Sequence, residues 1–355
     1  MKKLLWFFSQ MIAKIEQLGV FEIFFTLSCA DRRWPEVFIS ILAQQGHNVV
    51  IQKASGQESE ILVDGEPLEE FMKRENIHQV LRENVFTITK VFDKRIQNFV
   101  NHIIRGKNSP MNVKHHQYRI EFQARGAGHA HGVLWLDLKT LEEGYPGIKE
   151  IFNNLKLNEH FHEAQLDTLK KFIDQFITCS LDNDDVRQIV REVQSHYHTK
   201  TCRKYGKKCR FNFPRFPSKE TIIAQPLSRA DFDSDKAFKE RKMKLKKTLE
   251  KVKDVIDSLD DQRSSRDQPL DDAVLEKLTI QGILNKAKVT ETDYYQALKV
   301  SEVGKVVILK RSPKEMWTNN YNAEWIQAWN GNMDIQICLD FYAIVTYITG
   351  NMLLI

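Results

Sequence analysis

Alternating apolar and polar residues between positions 118 and 138 predict a β-hairpin. Tyr118, Ile120 and Phe122 alternate with polar side chains, and Gly126 and Gly128 then supply a turn. A second apolar run follows these glycines. Because residues two apart in a strand point to the same face, two side chains at that spacing after the turn would project together.

Two histidines, His129 and His131, have this spacing directly after the turn. Glu121 and Gln123 share a face of the first strand, and either could supply an oxygen ligand across the hairpin. Two imidazoles and one oxygen leave positions open for substrate oxygens, as a catalytic divalent ion needs. The alternative is a pair of ordinary histidines, but the glycines and the neighbouring oxygen-bearing side chains favour a metal site.

Other stretches have the apolar spacing of helices or of a buried strand. Apolar residues recur at helical intervals over residues 5–18, 80–104, 166–177, 185–193 and 237–259. Residues 20–29 are rich in Phe, Ile and Thr and predict a buried strand. Residues 36–75 show no clear organisation apart from a turn at 63–67, and the polar stretch 260–272 predicts a linker.

The composition shifts sharply after position 195, where basic and aromatic residues are interleaved. Cations neutralise phosphates and aromatic faces stack on unpaired bases, so this combination suits single-stranded DNA. A solvated charged surface is the alternative. The aromatic residues are Tyr205, Phe211, Phe213 and Phe216. The candidate DNA-binding residues are Lys200, Arg203, Lys204, Lys207, Lys208, Arg210 and Arg215.

The same segment contains a possible structural zinc site. His198, Cys202 and Cys209 are candidate ligands, with His196 as the candidate fourth. Imidazoles and thiolates suit the tetrahedral preference of Zn²⁺. The alternative is a set of reduced thiols in a basic loop, because the spacing differs from paired C-x-x-C knuckles.

Composition and charge narrow the class of protein. The 355 residues include 42% hydrophobic and 28% charged residues with a net charge of +5, which is typical of a soluble globular chain. The five cysteines are an odd, scattered set, which favours a reducing compartment over a secreted disulfide framework. The first residues, MKKLLWFFSQM, predict an amphipathic helix rather than a signal peptide, and we expect no membrane span.

Several long motifs resemble those of Helitron transposases, the initiator-like proteins of rolling-circle DNA transposons. EFQARGAGHAH followed by LWLDL is similar to their His-hydrophobe-His (HUH) endonuclease motif. The other similar stretches, in the same order, are FFTLSCADRRWPEV at 24–37, HYHTKTCRKYGKKCRFNFPRFPS at 196–218 and ILKRSPKEMWTNNYNAEWIQAWNGNMDIQ at 308–336. The resemblance covers residues 10–352.

The resemblance implies an α+β fold of the HUH endonuclease kind, with a central antiparallel β-sheet, flanking helices and helical insertions. On this interpretation residues 1–195 form the N-terminal part of the nuclease domain, including the hairpin, and 196–218 form the basic Cys/His loop. Residues 219–272 would be a helical insertion and linker, and 273–355 the C-terminal part with a tyrosine helix.

The resemblance also implies a tyrosine nucleophile, a metal and a substrate. FYAIVTYITGNMLLI resembles the tyrosine helix, in which Tyr347 takes the first of two tyrosine positions and Asn351 occupies the second. The implied enzyme is a metal-dependent DNA endonuclease and strand transferase. It would use Mg²⁺ or Mn²⁺ to nick and join single-stranded DNA through a 5′-phosphotyrosine intermediate. The resemblance places it in the nucleus; without it, the composition would place the protein in the cytoplasm.

Two departures from the family pattern leave a second function open. The sequence has no G-x-x-x-x-G-K-[ST] phosphate loop, so we expect that the helicase domain of full-length family proteins is missing here. The chain would then be a fragment or a decayed transposon copy. The alternative function is a catalytically decayed, single-stranded DNA-binding remnant, which Asn351 favours and the complete hairpin motif opposes.

Overall fold

A computed structural model describes residues 2–52, 60–107, 109–122, 126–154, 160–199, 202–203, 208–260 and 272–339. The strands are β1 (Ile23–Ser28), β2 (Val49–Gln52), β3 (Glu60–Val63), β4 (Glu66–Pro67), β5 (Val113–Phe122), β6 (Gly128–Leu136), β7 (Ile222–Pro226), β8 (Val300–Ser301), β9 (Val306–Ile308) and β10 (Met333–Ile337). Helices surround them, as the α+β interpretation predicts.

The helices before the basic Cys/His loop are α1 (Lys2–Leu18), α2 (Pro35–Gln44), α3 (Leu68–Arg74), α4 (Ile77–Glu83), α5 (Val85–Phe99), α6 (Leu138–Leu141), α7 (Ile148–Asn154), α8 (Glu163–Phe176) and α9 (Asp184–Val193). Those after it are α10 (Asp235–Asp260), α11 (Asp272–Glu276), α12 (Ile280–Ala287), α13 (Glu291–Leu298) and α14 (Ala323–Trp329).

The central sheet has four antiparallel strands in the order β10-β1-β6-β5. The predicted hairpin is therefore confirmed as β5 and β6, and the predicted buried strand as β1. Thr26 of β1 stands opposite both His131 and Asp334, so these three residues form one row across the sheet. In the next row, His129 stands between Ser28 and Glu121.

The alternation of side chains gives the central sheet two different faces. Phe25 and Leu27 of β1 point into the main core, against α2, α5, α8 and α14. Phe24 and Val133 point to the other face, where they form a smaller buried cluster with Met11 of α1. The two histidines of β6 lie on this second face, since they alternate with Ala130 of the main core.

A second core forms around the long helix α10. This helix confirms the one predicted over 237–259, and it buries Val252, Ile256 and Leu259 against α12 and α13. The small sheet β8-β7-β9 lies beside it. Asp260 was predicted to begin a linker, but it is the last residue of α10 and is only 4% exposed.

Two regions differ from the sequence predictions in detail. The single helix predicted over 80–104 is divided, because Asn84 ends α4 and caps α5, and a π-helical turn, Val100–Ile104, follows. Within residues 36–75, which showed no pattern, the described residues form α2, the antiparallel pair β2 and β3, β4 and α3. The predicted turn is confirmed at Asp64 and Gly65, which both have positive φ as a tight hairpin turn requires. Over the described ranges, no helix has the length and apolarity needed to cross a membrane.

Candidate metal centres and nucleic-acid contacts

The two histidines of β6 meet on one face of the central sheet, as their spacing predicts. Their ring centroids lie 4.5 Å apart. Glu121, across the hairpin, places Oε2 at 3.3 Å from Nε2 of His131 and Oε1 at 3.1 Å from Arg119. Gln123 lies outside the described residues, so the choice between the two oxygen ligands stays open.

Burial keeps both imidazoles neutral at neutral pH. It lowers the pKa of His129 to about 4, and the charge of His131 adds to this effect. Burial also lowers the pKa of His131 to about 4, with a further contribution from the nearby Arg119 cation, so the repulsion between the two rings acts only in acid, where His131 is protonated. A neutral imidazole offers the lone pair that a metal ligand requires. The pair therefore has the protonation state of a metal site, although metal binding here stays a prediction.

Strand β1, which the sequence predicts only as a buried strand, supplies two neighbours of the histidine pair. Ser28 places its Oγ at 2.9 Å from Nδ1 of His129, which leaves Nε2 of that ring for a ligand. The ring of Phe24 stacks against His131 at a centroid distance of 6.3 Å. Partners of this kind fix the orientation of a ligating histidine. The strand pattern alone does not reveal them, because they depend on which strand pairs with β6.

The predicted Cys/His group converges in space. The ligand atoms of His196, His198, Cys202 and Cys209 lie within 4.8 Å of one another, and the group could hold a metal ion. Within the part of the chain that the structure describes, it is the one such group of three or more His, Cys, Asp and Glu side chains. Nδ1 of His198 lies 3.4 Å from the Cys202 sulfur, and Nε2 of His196 lies 3.4 Å from the Cys209 sulfur.

Backbone amides point at both sulfurs. Thr199 N–H donates to Cys202 Sγ at 3.2 Å, and Phe211 N–H donates to Cys209 Sγ at 3.4 Å. Burial opposes ionisation of the Cys202 thiol, but the Thr199 amide and His198 outweigh it and lower the pKa of Cys202. Burial raises the pKa of Cys209. The lowered pKa of Cys202 favours the thiolate, the form that binds metal.

Asp260, the last residue of α10, connects the Cys/His group to that helix. Asp260 places Oδ2 at 2.6 Å from Nε2 of His198 and at 2.7 Å from the guanidinium of Arg203. Its other oxygen accepts a hydrogen bond of 2.6 Å from the Trp317 indole. A carboxylate on the far nitrogen of a histidine is the usual support of a zinc ligand. Sequence reasoning missed Asp260, since nothing in a polar stretch marks one carboxylate as buried.

The candidate DNA-binding residues fall into separate groups. Lys208 and Arg210 are exposed, and the Arg210 guanidinium lies 4.5 Å above the ring of Phe211. Arg203 pairs with Asp260, as described above. Arg215 donates to the side-chain oxygens of Asn319 and Asn320 and stacks on Phe213. Lys200, Lys204 and Lys207 lie outside the described residues.

The described basic residues of this run occupy two different environments. Lys208 and Arg210 present their charges to solvent, as phosphate contacts require, whereas Arg203 and Arg215 are engaged inside the fold. DNA contact by any member of the run stays a prediction. The predicted nucleophile Tyr347 and its companion Asn351 also lie outside the described residues.

Residues 6–134 match the family model of the Helitron helicase-like domain at the N-terminus. The matched segment contains β1, β5 and both histidines of the hairpin. The family match indicates a protein that is related to transposons and associated with nucleic acid. No curated protein and no solved structure matches the chain. The Cys/His group and α10 lie beyond the matched segment.

Proposed function

We propose that this chain is a Helitron-like nuclease domain that nicks and joins single-stranded DNA through a tyrosine. The observation that carries the proposal is the meeting of His129 and His131 on one sheet face, with the Glu121 carboxylate beside them. The family match to the same segment supports a role on transposon DNA.

The residues of this face fit a divalent ion. His129 and His131 are neutral donors, and Glu121 supplies a carboxylate oxygen, with Gln123 as the alternative. A carboxylate oxygen, together with open positions for the oxygens of a substrate phosphate, suits Mg²⁺ or Mn²⁺. When bound, the ion would polarise the scissile phosphate and stabilise the charge that develops on it. Ser28 holds His129 in the orientation this requires.

Tyr347 is the proposed nucleophile, by resemblance. Its oxygen would form a bond to phosphorus as the bond from phosphorus to the 3′-oxygen breaks. The tyrosine hydroxyl loses its proton, and the leaving oxygen gains one to become a 3′-hydroxyl. The 5′-phosphotyrosine conserves the phosphoester bond for a later joining step. Asn351 stands where a second strand transfer would need another tyrosine.

We further propose that His196, His198, Cys202 and Cys209 hold a structural Zn²⁺. The donor set is the two-cysteine, two-histidine type of structural zinc sites. The amides directed at both sulfurs and the Asp260 contact with His198 support the proposal. When bound, the ion would cross-link the basic loop. Lys208 and Arg210 would then be held where they can contact the phosphates of a single strand.

A covalent-adduct assay tests the nuclease. Labelled single-stranded DNA is incubated with the full chain and Mg²⁺ or Mn²⁺, and adducts are resolved on a denaturing gel. We expect an adduct that disappears in His131→Ala and Tyr347→Phe. His160→Ala is the matched control, because His160 is an exposed histidine outside both candidate sites. Salt-dependent binding of the strand without any adduct would instead identify a DNA-binding remnant.

Metal analysis of the purified protein tests the zinc site separately. We expect one zinc per chain in the wild type and in His131→Ala, and its loss in Cys202→Ser. Cys338→Ser is the control, since Cys338 is a buried cysteine outside the Cys/His group. A wild-type protein free of zinc would refute this proposal without affecting the first.

A further inference from the structure

We propose that a cavity at the edge of the central sheet binds one unpaired nucleotide of the DNA strand. The inference extends the proposed function, since it assigns a subsite for the same single-stranded substrate. The cavity has a volume of about 420 Å³ and lies between β9, β10 and residues 211–216 of the Cys/His loop. This volume is within the usual range for a site that encloses a small ligand.

An exposed aromatic ring stands at the cavity. Phe211 is 48% exposed, although a phenylalanine in a folded chain is usually buried. Arg210 lies over its ring, and the Phe211 amide contacts Cys209 of the Cys/His group. An exposed ring stacks on any unpaired base, and a cation beside it adds attraction for the backbone.

Two arginines form the polar wall. Arg311 is 2% exposed, and Arg215 lies beside it; both donate to the side-chain oxygen of Asn320, at 3.3 and 3.0 Å. The guanidinium groups are held by fixed hydrogen bonds, and Arg311 also donates to the carbonyl oxygens of Glu315 and Thr318. Two cations held together at a cavity wall form a preorganised site for a phosphate.

Strand β10 supplies groups for the edge of a base. Gln336 lines the cavity and donates to Oδ2 of Asp334. Asp334 lies behind Gln336 and does not line the cavity, so the group that a ligand meets is the exposed side-chain amide of Gln336. An amide can both donate and accept hydrogen bonds, and the edge of a base offers N–H donors and acceptors to it.

The sheet register connects the cavity to the histidines. Asp334, which accepts a hydrogen bond from the lining residue Gln336, stands in one row with Thr26 and His131, two strands away from His131 on the same face. At about 4.8 Å per strand this is roughly 10 Å, a distance that a short single strand spans. A strand bound at the histidines can therefore continue into the cavity and along Phe211, which joins the two candidate metal sites into one path.

Binding of a fluorescent single-stranded oligonucleotide, followed by anisotropy, tests the subsite. The parent protein is the full chain with His131→Ala, so that cleavage cannot interfere, and no chelator is added. We expect Phe211→Leu and Gln336→Ala to weaken binding about tenfold each. Both side chains are exposed, so neither change disturbs the core. Phe86→Leu is the matched control, because Phe86 is also exposed and also carries a cation, Lys90, over its ring.

The binding results either support or overturn the proposed nucleotide subsite. Weakening in the two cavity variants but not in Phe86→Leu supports it, as does photocrosslinking of a bromodeoxyuridine-substituted strand to the peptide that contains Phe211. Unchanged affinity in both cavity variants, equal weakening in the control, or no binding by the parent protein would overturn it. The wild-type nuclease can still form an adduct when the cavity variants bind normally, so failure of the subsite is distinguishable from failure of the nuclease.

Discussion

The contact between Asp260 and His198 gives a quantitative prediction for the proposed zinc site. Asp260→Asn keeps the shape of the side chain and an acceptor for the Trp317 indole. It removes the negative charge that faces His198 at 2.6 Å and Arg203 at 2.7 Å. The imidazole then loses the support that orients its other nitrogen toward the metal.

The expected loss of zinc affinity in Asp260→Asn also fixes the expected loss of zinc-dependent stability. Removing a residue that hydrogen-bonds to a metal-ligating histidine lowers metal affinity by about 10- to 100-fold. At about 1.4 kcal/mol per factor of ten, this corresponds to roughly 1.4–2.8 kcal/mol. Because zinc stabilises the folded state in proportion to the logarithm of its affinity, the zinc-dependent gain in unfolding free energy should fall by the same amount.

Competition with a chromophoric chelator measures the affinity, and urea unfolding with and without zinc measures the stabilisation. The control is Asp257→Asn, which removes the same charge one turn earlier on α10, where Asp257 pairs at the surface with Lys253. Equal zinc affinity in the two variants would refute the assigned role of Asp260. A lower stability of Asp260→Asn that does not depend on zinc would show that the carboxylate acts through Arg203 and Trp317 alone.

Three further predictions concern the central sheet. Burial raises the pKa of Glu22 to about 8, so the folded state keeps a proton that the unfolded chain loses, and this stability is lost as pH rises from 4.5 to about 8. Glu22→Gln should therefore match the wild type near pH 4 and exceed it at pH 8.5 by several kcal/mol, up to about 5, in urea unfolding. Gly132→Ala should destabilise the fold by about 1–3 kcal/mol in the same assay, because the new Cβ would lie 2.2 Å from the Phe25 ring. Ser28→Ala should raise the Mn²⁺ concentration needed for half-maximal cleavage about tenfold through a misoriented His129, with the rate recovered at saturating metal.

A specific result would contradict each of the three predictions for Glu22, Gly132 and Ser28. A stability difference between Glu22→Gln and the wild type that stays constant from pH 4 to pH 8.5 would contradict the buried, protonated carboxyl. Wild-type stability of Gly132→Ala would mean that Phe25 can move away at no cost. An unchanged metal requirement in Ser28→Ala, or a lower rate that saturating Mn²⁺ does not restore, would remove Ser28 from the orientation of His129.

Much of the fold follows from local sequence patterns. The alternation around Tyr118 and the glycines before His129 specify a hairpin, because strand geometry turns a spacing of two into a shared face. Helical spacing likewise predicts α1, α9 and α10 within a few residues of their observed ends. The division of the helix predicted over 80–104 was missed, since its apolar spacing continues past the break at Asn84.

The residues of the candidate sites likewise fall into two sets: those close together in sequence and those brought together by the fold. Residues close together in sequence determine the histidine pair of β6 and most of the Cys/His group, because a short loop or strand can bring them together only in a few ways. Ser28, Asp334 and Asp260 join those sites through pairings between distant segments, and their chemical type alone does not distinguish them from exposed polar residues. Strand order and the docking of α10 against Trp317 decide which carboxylates and hydroxyls become buried beside a histidine, since burial is a property of the packed chain.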